Sequence, residues 1–115
     1  MQKKVACIGN ALVDKVCMLQ SDNLLCEQNL PKGSMQLIDE KESTLATGGS
    51  AANTASGTAN MGIETTYIGM VGDDELGDFY IQDMQQNNIS TCIFRNSDMQ
   101  TGLALALVSP DGERT

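Results

Sequence analysis

The chain contains no histidine and no tryptophan, and its aromatic content is two tyrosines and two phenylalanines. Without histidine there is no imidazole base and no histidine-centred triad. Any acid–base chemistry must fall to carboxylates, lysine, tyrosine or cysteine. A zinc site is not expected either, because the four cysteines (Cys7, Cys17, Cys26 and Cys92) form no C-x-x-C pair and have no histidine to join them. With so few rings, the core must rest on Val, Ile, Leu, Met and Ala. Basic residues are scarce too: seven against fifteen acidic, for a net charge of -8. A nucleic-acid or anionic-membrane surface needs clustered Lys and Arg, so neither partner is expected. No run approaches the length of a membrane span. The basic start Met1-Gln2-Lys3-Lys4 leads into an apolar stretch too short for a signal core, so a reduced cytoplasmic setting is expected. There is no Walker sequence and no G-x-G-x-x-G.

What is present is a globular composition, 41% hydrophobic and 19% charged, in 115 residues, enough for one small domain. Val5-Ala6-Cys7-Ile8 reads as a buried parallel strand stopping at a Gly9-Asn10 turn. Asp14 then falls just past the end of that strand, where open α/β sheets bind ligands. It is either a ligand-binding carboxylate or an ordinary surface turn residue. A second strand is expected over 15–20, a turn at Ser21-Asp22-Asn23 and helical turns at Leu24 to Glu27. A strand at Met35 to Ile38 and a polar helical turn over 39–45 follow. Thr65 to Val71 is β-rich, Asp74 to Asn87 is an amphipathic helix, and the alternation is the βαβ rhythm of a parallel sheet. Thr91 to Arg95 and Thr101 to Ser109 are further strands, and Pro110-Asp111-Gly112 is a turn opening a hairpin.

The chain is organised around Thr47-Gly48-Gly49-Ser50-Ala51-Ala52-Asn53. Two glycines precede a helix of small residues, for which Ser50 is the expected N-cap and Gly62 the stop. The glycines let a ligand approach the backbone closely. Asn53, in the first turn, offers both a donor and an acceptor. This is a way to build a pocket for a polyol or nucleoside. Asp73-Asp74-Glu75 has two readings, a metal site or a negatively charged helix start; the helix dipole favours the second. The seven methionines read as core filler.

These residues resemble the amino-terminal part of the ribokinase-like (PfkB) carbohydrate kinases, especially the adenosine kinase branch. Gly48-Gly49-Ser50-Ala51-Ala52-Asn53 and Gly69-Met70-Val71-Gly72-Asp73-Asp74-Glu75-Leu76-Gly77 match that family's first signature. Gly9 to Asp14 resembles its opening strand and substrate aspartate. Thr101-Gly102 with Asp111-Gly112-Glu113-Arg114 resembles its lid. The resemblance implies a partial ribokinase-like α/β fold: βαβ layers of a mostly parallel sheet plus a small β lid hairpin, with lid strands around 91–115. It implies transfer of a phosphoryl group from ATP, with Mg, to a hydroxymethyl group of a sugar or nucleoside. Asp14 would accept hydrogen bonds from two sugar hydroxyls and Asn53 would bind a neighbouring one. The Gly48-Gly49 backbone would lie against the ring, and Met35, Ala104 and Ala106 would cover its apolar face.

The family's second signature, Asp-Thr-x-Gly-Ala-Gly-Asp, which supplies the catalytic base and an anion hole, is absent from these 115 residues. The expectation is therefore the substrate-binding part of a kinase, inactive alone, with no catalytic residue, cofactor or metal of its own. The alternative is a non-catalytic sugar- or nucleoside-binding module, or an assembly module whose apolar Leu103–Val108 strand pairs copies into a homodimer. Half of a Rossmann dehydrogenase is a third reading, opposed by the missing phosphate-binding glycine fingerprint.

Overall fold

The computed structural model describes residues 3–18, 43–108 and 112. In chain order they form β1 (Lys4–Ile8), β2 (Leu12–Met18), β3 (Ser43–Gly48), α1 (Ser50–Asn60), β4 (Glu64–Gly72), α2 (Glu75–Gln86), β5 (Ser90–Asn96) and β6 (Gly102–Val108). They fall into two compact units. One takes residues 3–13 and 46–104, and the other takes 14–18, 43–45 and 105–108, with Gly112.

The first unit is built on a three-stranded sheet in the order β1-β4-β5. All pairings are parallel: Val5 lies opposite Thr65, Ile8 opposite Ile68, and Met70 opposite Phe94. Side chains alternate across the sheet, so Val5, Cys7, Tyr67, Val71 and Ile93 share one face. Both helices cover that face, and one cluster joins it to Ala52, Ala55, Tyr80 and Met84. In α1 the contact stripe is alanine, which lets the helix press close to the sheet; in α2 the buried positions Gly77, Tyr80 and Met84 follow helical spacing. The two tyrosines are fully buried and their rings lie 5.7 Å apart at 53°. The opposite sheet face carries Ile8, Met70 and Phe94, all exposed.

A second three-stranded sheet has the order β3-β2-β6. Among the described residues, no helix is long and apolar enough to cross a membrane.

The structure corrects four expectations. Asp14 is not in a turn after β1 but in the middle of β2, half-buried, between Val13 and Lys15. Val13 and Cys17 are the buried residues of that strand, two pleats apart on one face. A carboxylate and a lysine between them hide the alternation. Residues 43–45 are strand rather than helical turn. The N-cap of α1 is Gly49, and Ser50 is its first helical residue, with no side-chain cap bond. Finally, β5 does not join β6 as a lid strand; it pairs with β4 in the parallel sheet. Gly62 follows the helix with φ +79, as the expected stop signal requires. The elements expected over 21–38, with Met35 and Cys26, and the turn residues Pro110 and Asp111 lie outside the described residues.

Candidate functional site

Parallel strands all deliver their carboxyl ends to one edge, and there the chain must turn into its helices. In the first unit β1 ends at Ile8, β4 at Gly72 and β5 at Asn96. Two hollows open at this edge and share Gly9 and Asn10. One, of about 390 Å³, runs from Ile8, Gly9 and Asn10 to Gly49, Ser50 and Ala51 at the start of α1. The other, of about 300 Å³, lies between Asn10, Met70, Gly72, Asn96 and Thr101. Ligand sites of open α/β sheets occupy this position.

The glycine pair is held from below. Tyr80 Oη donates to the Gly48 carbonyl at 3.2 Å, and Thr47 Oγ1 donates to Asp83 Oδ2 at 3.1 Å, so α2 fixes the end of β3. Gly49 then turns with φ +100 and ψ 146, a region closed to residues with a Cβ. A Cβ there would stand 2.7 Å from the Asn10 carbonyl oxygen, so this turn and the one after β1 touch backbone to backbone. Asn53 N–H donates to the Gly49 carbonyl at 3.1 Å, closing the first turn, and its side chain is exposed. The structure thus brings Gly48, Gly49 and Asn53 together at one helix start. Ala104 belongs to the same unit and is exposed; Asp14 and Ala106 belong to the other and are half-buried.

A third piece of the edge went unread in the sequence. Asp74 caps α2, its Oδ1 accepting from Gly77 N–H at 2.8 Å. The same carboxylate takes two bonds from Thr101: the hydroxyl at 2.5 Å on Oδ1 and the N–H at 2.8 Å on Oδ2. Thr101 Oγ1 in turn accepts from Gly72 N–H at 2.8 Å. The glycines of the Val71 to Gly77 motif leave room for this clasp, since a Cβ on Gly77 would meet the Gly72 carbonyl oxygen at 2.4 Å. The three donors, led by the Thr101 hydroxyl, hold the Asp74 carboxyl below its ordinary value, with Arg95 adding to them and burial opposing. Arg95 also pairs with Asp78 and, at 3.4 Å, with Asp73. The acidic cluster is therefore a capped helix start. Among the described residues no three His, Cys, Asp or Glu side chains are placed to share a metal ion.

A depressed native pKa sets the sign of the pH response. The stabilisation by Asp74 is fully present above the unfolded value of about 3.9 and is lost as pH falls through the lower native value. Urea unfolding repeated from neutral to acid should show stability falling on that limb, and Asp74→Asn should flatten the fall. An unchanged acid limb in the variant would contradict this assignment.

Comparison with known proteins agrees with the geometry. The pfkB family carbohydrate kinase profile matches residues 2–115. The chain is 30% identical over 116 residues to ribokinase of Staphylococcus aureus, covering 100% of this chain and 36% of that protein. It is 32% identical over 85 residues to aminoimidazole riboside kinase of Salmonella typhimurium, covering 71% and 27%. A crystal structure of a putative ribokinase from Agrobacterium tumefaciens superposes with a TM-score of 0.76 at 26% identity, covering 100% of this chain and 35% of that one. The chain spans about a third of the length of these relatives. With the signature motifs standing at the carboxyl edge of a parallel sheet, the chain belongs to the pfkB family of carbohydrate kinases and carries a partial ribokinase-like α/β fold.

Proposed function

We propose that this chain is the acceptor-binding part of an ATP-dependent sugar or nucleoside kinase and does not turn over alone. The observation that carries the reading is the Gly48-Gly49 turn, fixed by Tyr80 and pressed against Asn10 at the carboxyl edge of the sheet. Asp14 accepts hydrogen bonds from two ring hydroxyls; an ionised carboxylate only accepts, and such bonds are charge-assisted. Asn53 binds a third hydroxyl. The backbone at Gly48 and Gly49 lies along the ring, and Ala104 and Ala106 cover its apolar face. In the whole kinase, ATP with Mg supplies the phosphoryl group, and the hydroxymethyl oxygen of the acceptor attacks it as ADP leaves. The groups that stabilise that transfer belong to the second signature, which these residues do not contain. Relatives named ribokinase, fructokinase and aminoimidazole riboside kinase support a sugar or nucleoside acceptor. The adenosine kinase branch is one form of that reading.

Calorimetry of residues 1–115 against D-ribose, D-fructose and adenosine tests the proposal, alongside an ATP-coupled assay. Binding of at least one acceptor without turnover is expected, and Asp14→Asn should weaken it about tenfold or more. Turnover above a blank, or full affinity in the variant, would overturn it. Pairing of copies through β6 is a second reading, favoured by the exposed Leu103 and Leu105 on an edge strand. A sedimentation coefficient that rises with concentration would support that reading; a monomer at high concentration would remove it.

A further inference from the structure

We propose that Asp74 and Thr101 are positioning residues: their clasp fixes the root of β6 and so sets one side of the hollow that shares Gly9 and Asn10 with the one at the glycine turn. The inference rests on the reading that a sugar or nucleoside occupies this edge.

Thr101 is the last residue before β6, and the chain reaches it through the 97–100 loop, whose residues are exposed. Within the loop the Asp98 N–H donates to Asn96 Oδ1 at 2.9 Å, which ties it back to β5 and not forward to β6. Thr101 itself is buried, and every polar group it points inward is used. Its N–H and O–H both go to the Asp74 carboxylate, and its oxygen takes the Gly72 N–H. Gly72 is the end of β4 and Asp74 the cap of α2. One carboxylate and one hydroxyl therefore tie three chain segments at one point. Gly72, Thr101 and Gly102 are also the wall of the 300 Å³ hollow facing Asn10. That hollow shares Gly9 and Asn10 with the one along Gly49, so the clasp sets the position of the chain beside the acceptor.

The geometry needs both members. Asparagine at 74 can still cap α2 through Oδ1, since it is a good N-cap residue. Its NH₂ group cannot accept the Thr101 N–H. Valine at 101 keeps the shape but removes the hydroxyl, stranding the Gly72 N–H. Serine at 101 restores the hydroxyl. Asp74→Asn, Thr101→Val and Thr101→Ser therefore separate the clasp from helix capping and from packing.

The test is amide hydrogen exchange by NMR on residues 1–115, followed by calorimetry with D-ribose, D-fructose and adenosine. In Asp74→Asn and Thr101→Val, exchange at Gly72 and Thr101 should quicken about tenfold or more, while amides at Tyr67 and Tyr80 keep their protection. Affinity for the acceptor that the native chain binds should fall about tenfold in both, and Thr101→Ser should restore exchange and affinity together. Unchanged exchange at Gly72 and Thr101 would show that the clasp does not hold the strand. Quickened exchange with undiminished affinity would reduce it to a structural tie and overturn the positioning role alone. A native chain that binds none of the three probes would refute the acceptor reading, and the positioning role with it.

Discussion

Replacing Gly49 by alanine should destabilise the first unit by about 2–4 kcal/mol and abolish acceptor binding. Two effects combine. The backbone at φ +100 and ψ 146 is strained for any residue with a Cβ, a cost of about 1–3 kcal/mol. The new methyl would also stand 2.7 Å from the Asn10 carbonyl oxygen, a backbone atom that has no rotamer to escape into. The turn can relieve both only by moving away from the end of β1, which takes Gly48 off its bond from Tyr80. Urea unfolding and calorimetry on the variant check the two parts separately. A loss below about 1 kcal/mol with affinity intact would mean that the turn tolerates side chains and that its glycines serve no close approach.

Tyr67→Ala should cost about 3–5 kcal/mol, whereas Tyr67→Phe should be neutral or stabilising. Tyr67 is fully buried between the sheet and both helices, and its ring packs on Tyr80. Deleting the ring opens a cavity in the apolar cluster of this unit. The hydroxyl is different: it is buried and has no hydrogen-bond partner among the described residues. Removing an unsatisfied buried hydroxyl forfeits no bond and relieves a desolvation cost of about 1–3 kcal/mol. Tyr80→Phe is the contrasting case, because its hydroxyl holds the Gly48 carbonyl. Denaturant midpoints of the three variants order the contributions. A Tyr67→Phe variant as unstable as Tyr67→Ala would contradict the ring-over-hydroxyl account.

Much of the architecture was legible because local signals agreed. Asp74 to Asn87 showed helical spacing, an acidic start and an asparagine end, and α2 occupies that stretch with Asp74 and Asn87 as its caps. The apolar runs at Val5 and Thr65 gave β1 and β4. The failures came where a residue obeyed a longer-range constraint. Asp14 broke the apolar pattern of β2, so the strand seemed to begin later than it does. Ser50 is a better cap residue than glycine by propensity, yet the positive φ at 49 reserved the cap for glycine. Thr91 to Arg95 looked like one of the lid strands, because its parallel pairing with β4 is invisible to local pattern. At the site, the glycine pair and Asn53 carried their own signal. Asn10 did not, since a turn asparagine is commonplace. The Asp74–Thr101 clasp spans 27 positions, and no short-range spacing reveals it. Its trace in the sequence was the joint presence of Asp74 and Thr101-Gly102, two pieces read separately.

We propose that one acceptor ring lies along the glycine-led start of α1. The most direct measurement is a crystal structure of residues 1–115 with D-ribose or adenosine bound. The expected result is a ring hydroxyl within hydrogen-bond distance of the Asn53 amide, with the ring lying along Gly48 and Gly49. A ring bound elsewhere, or one out of reach of the Asn53 amide, would contradict it.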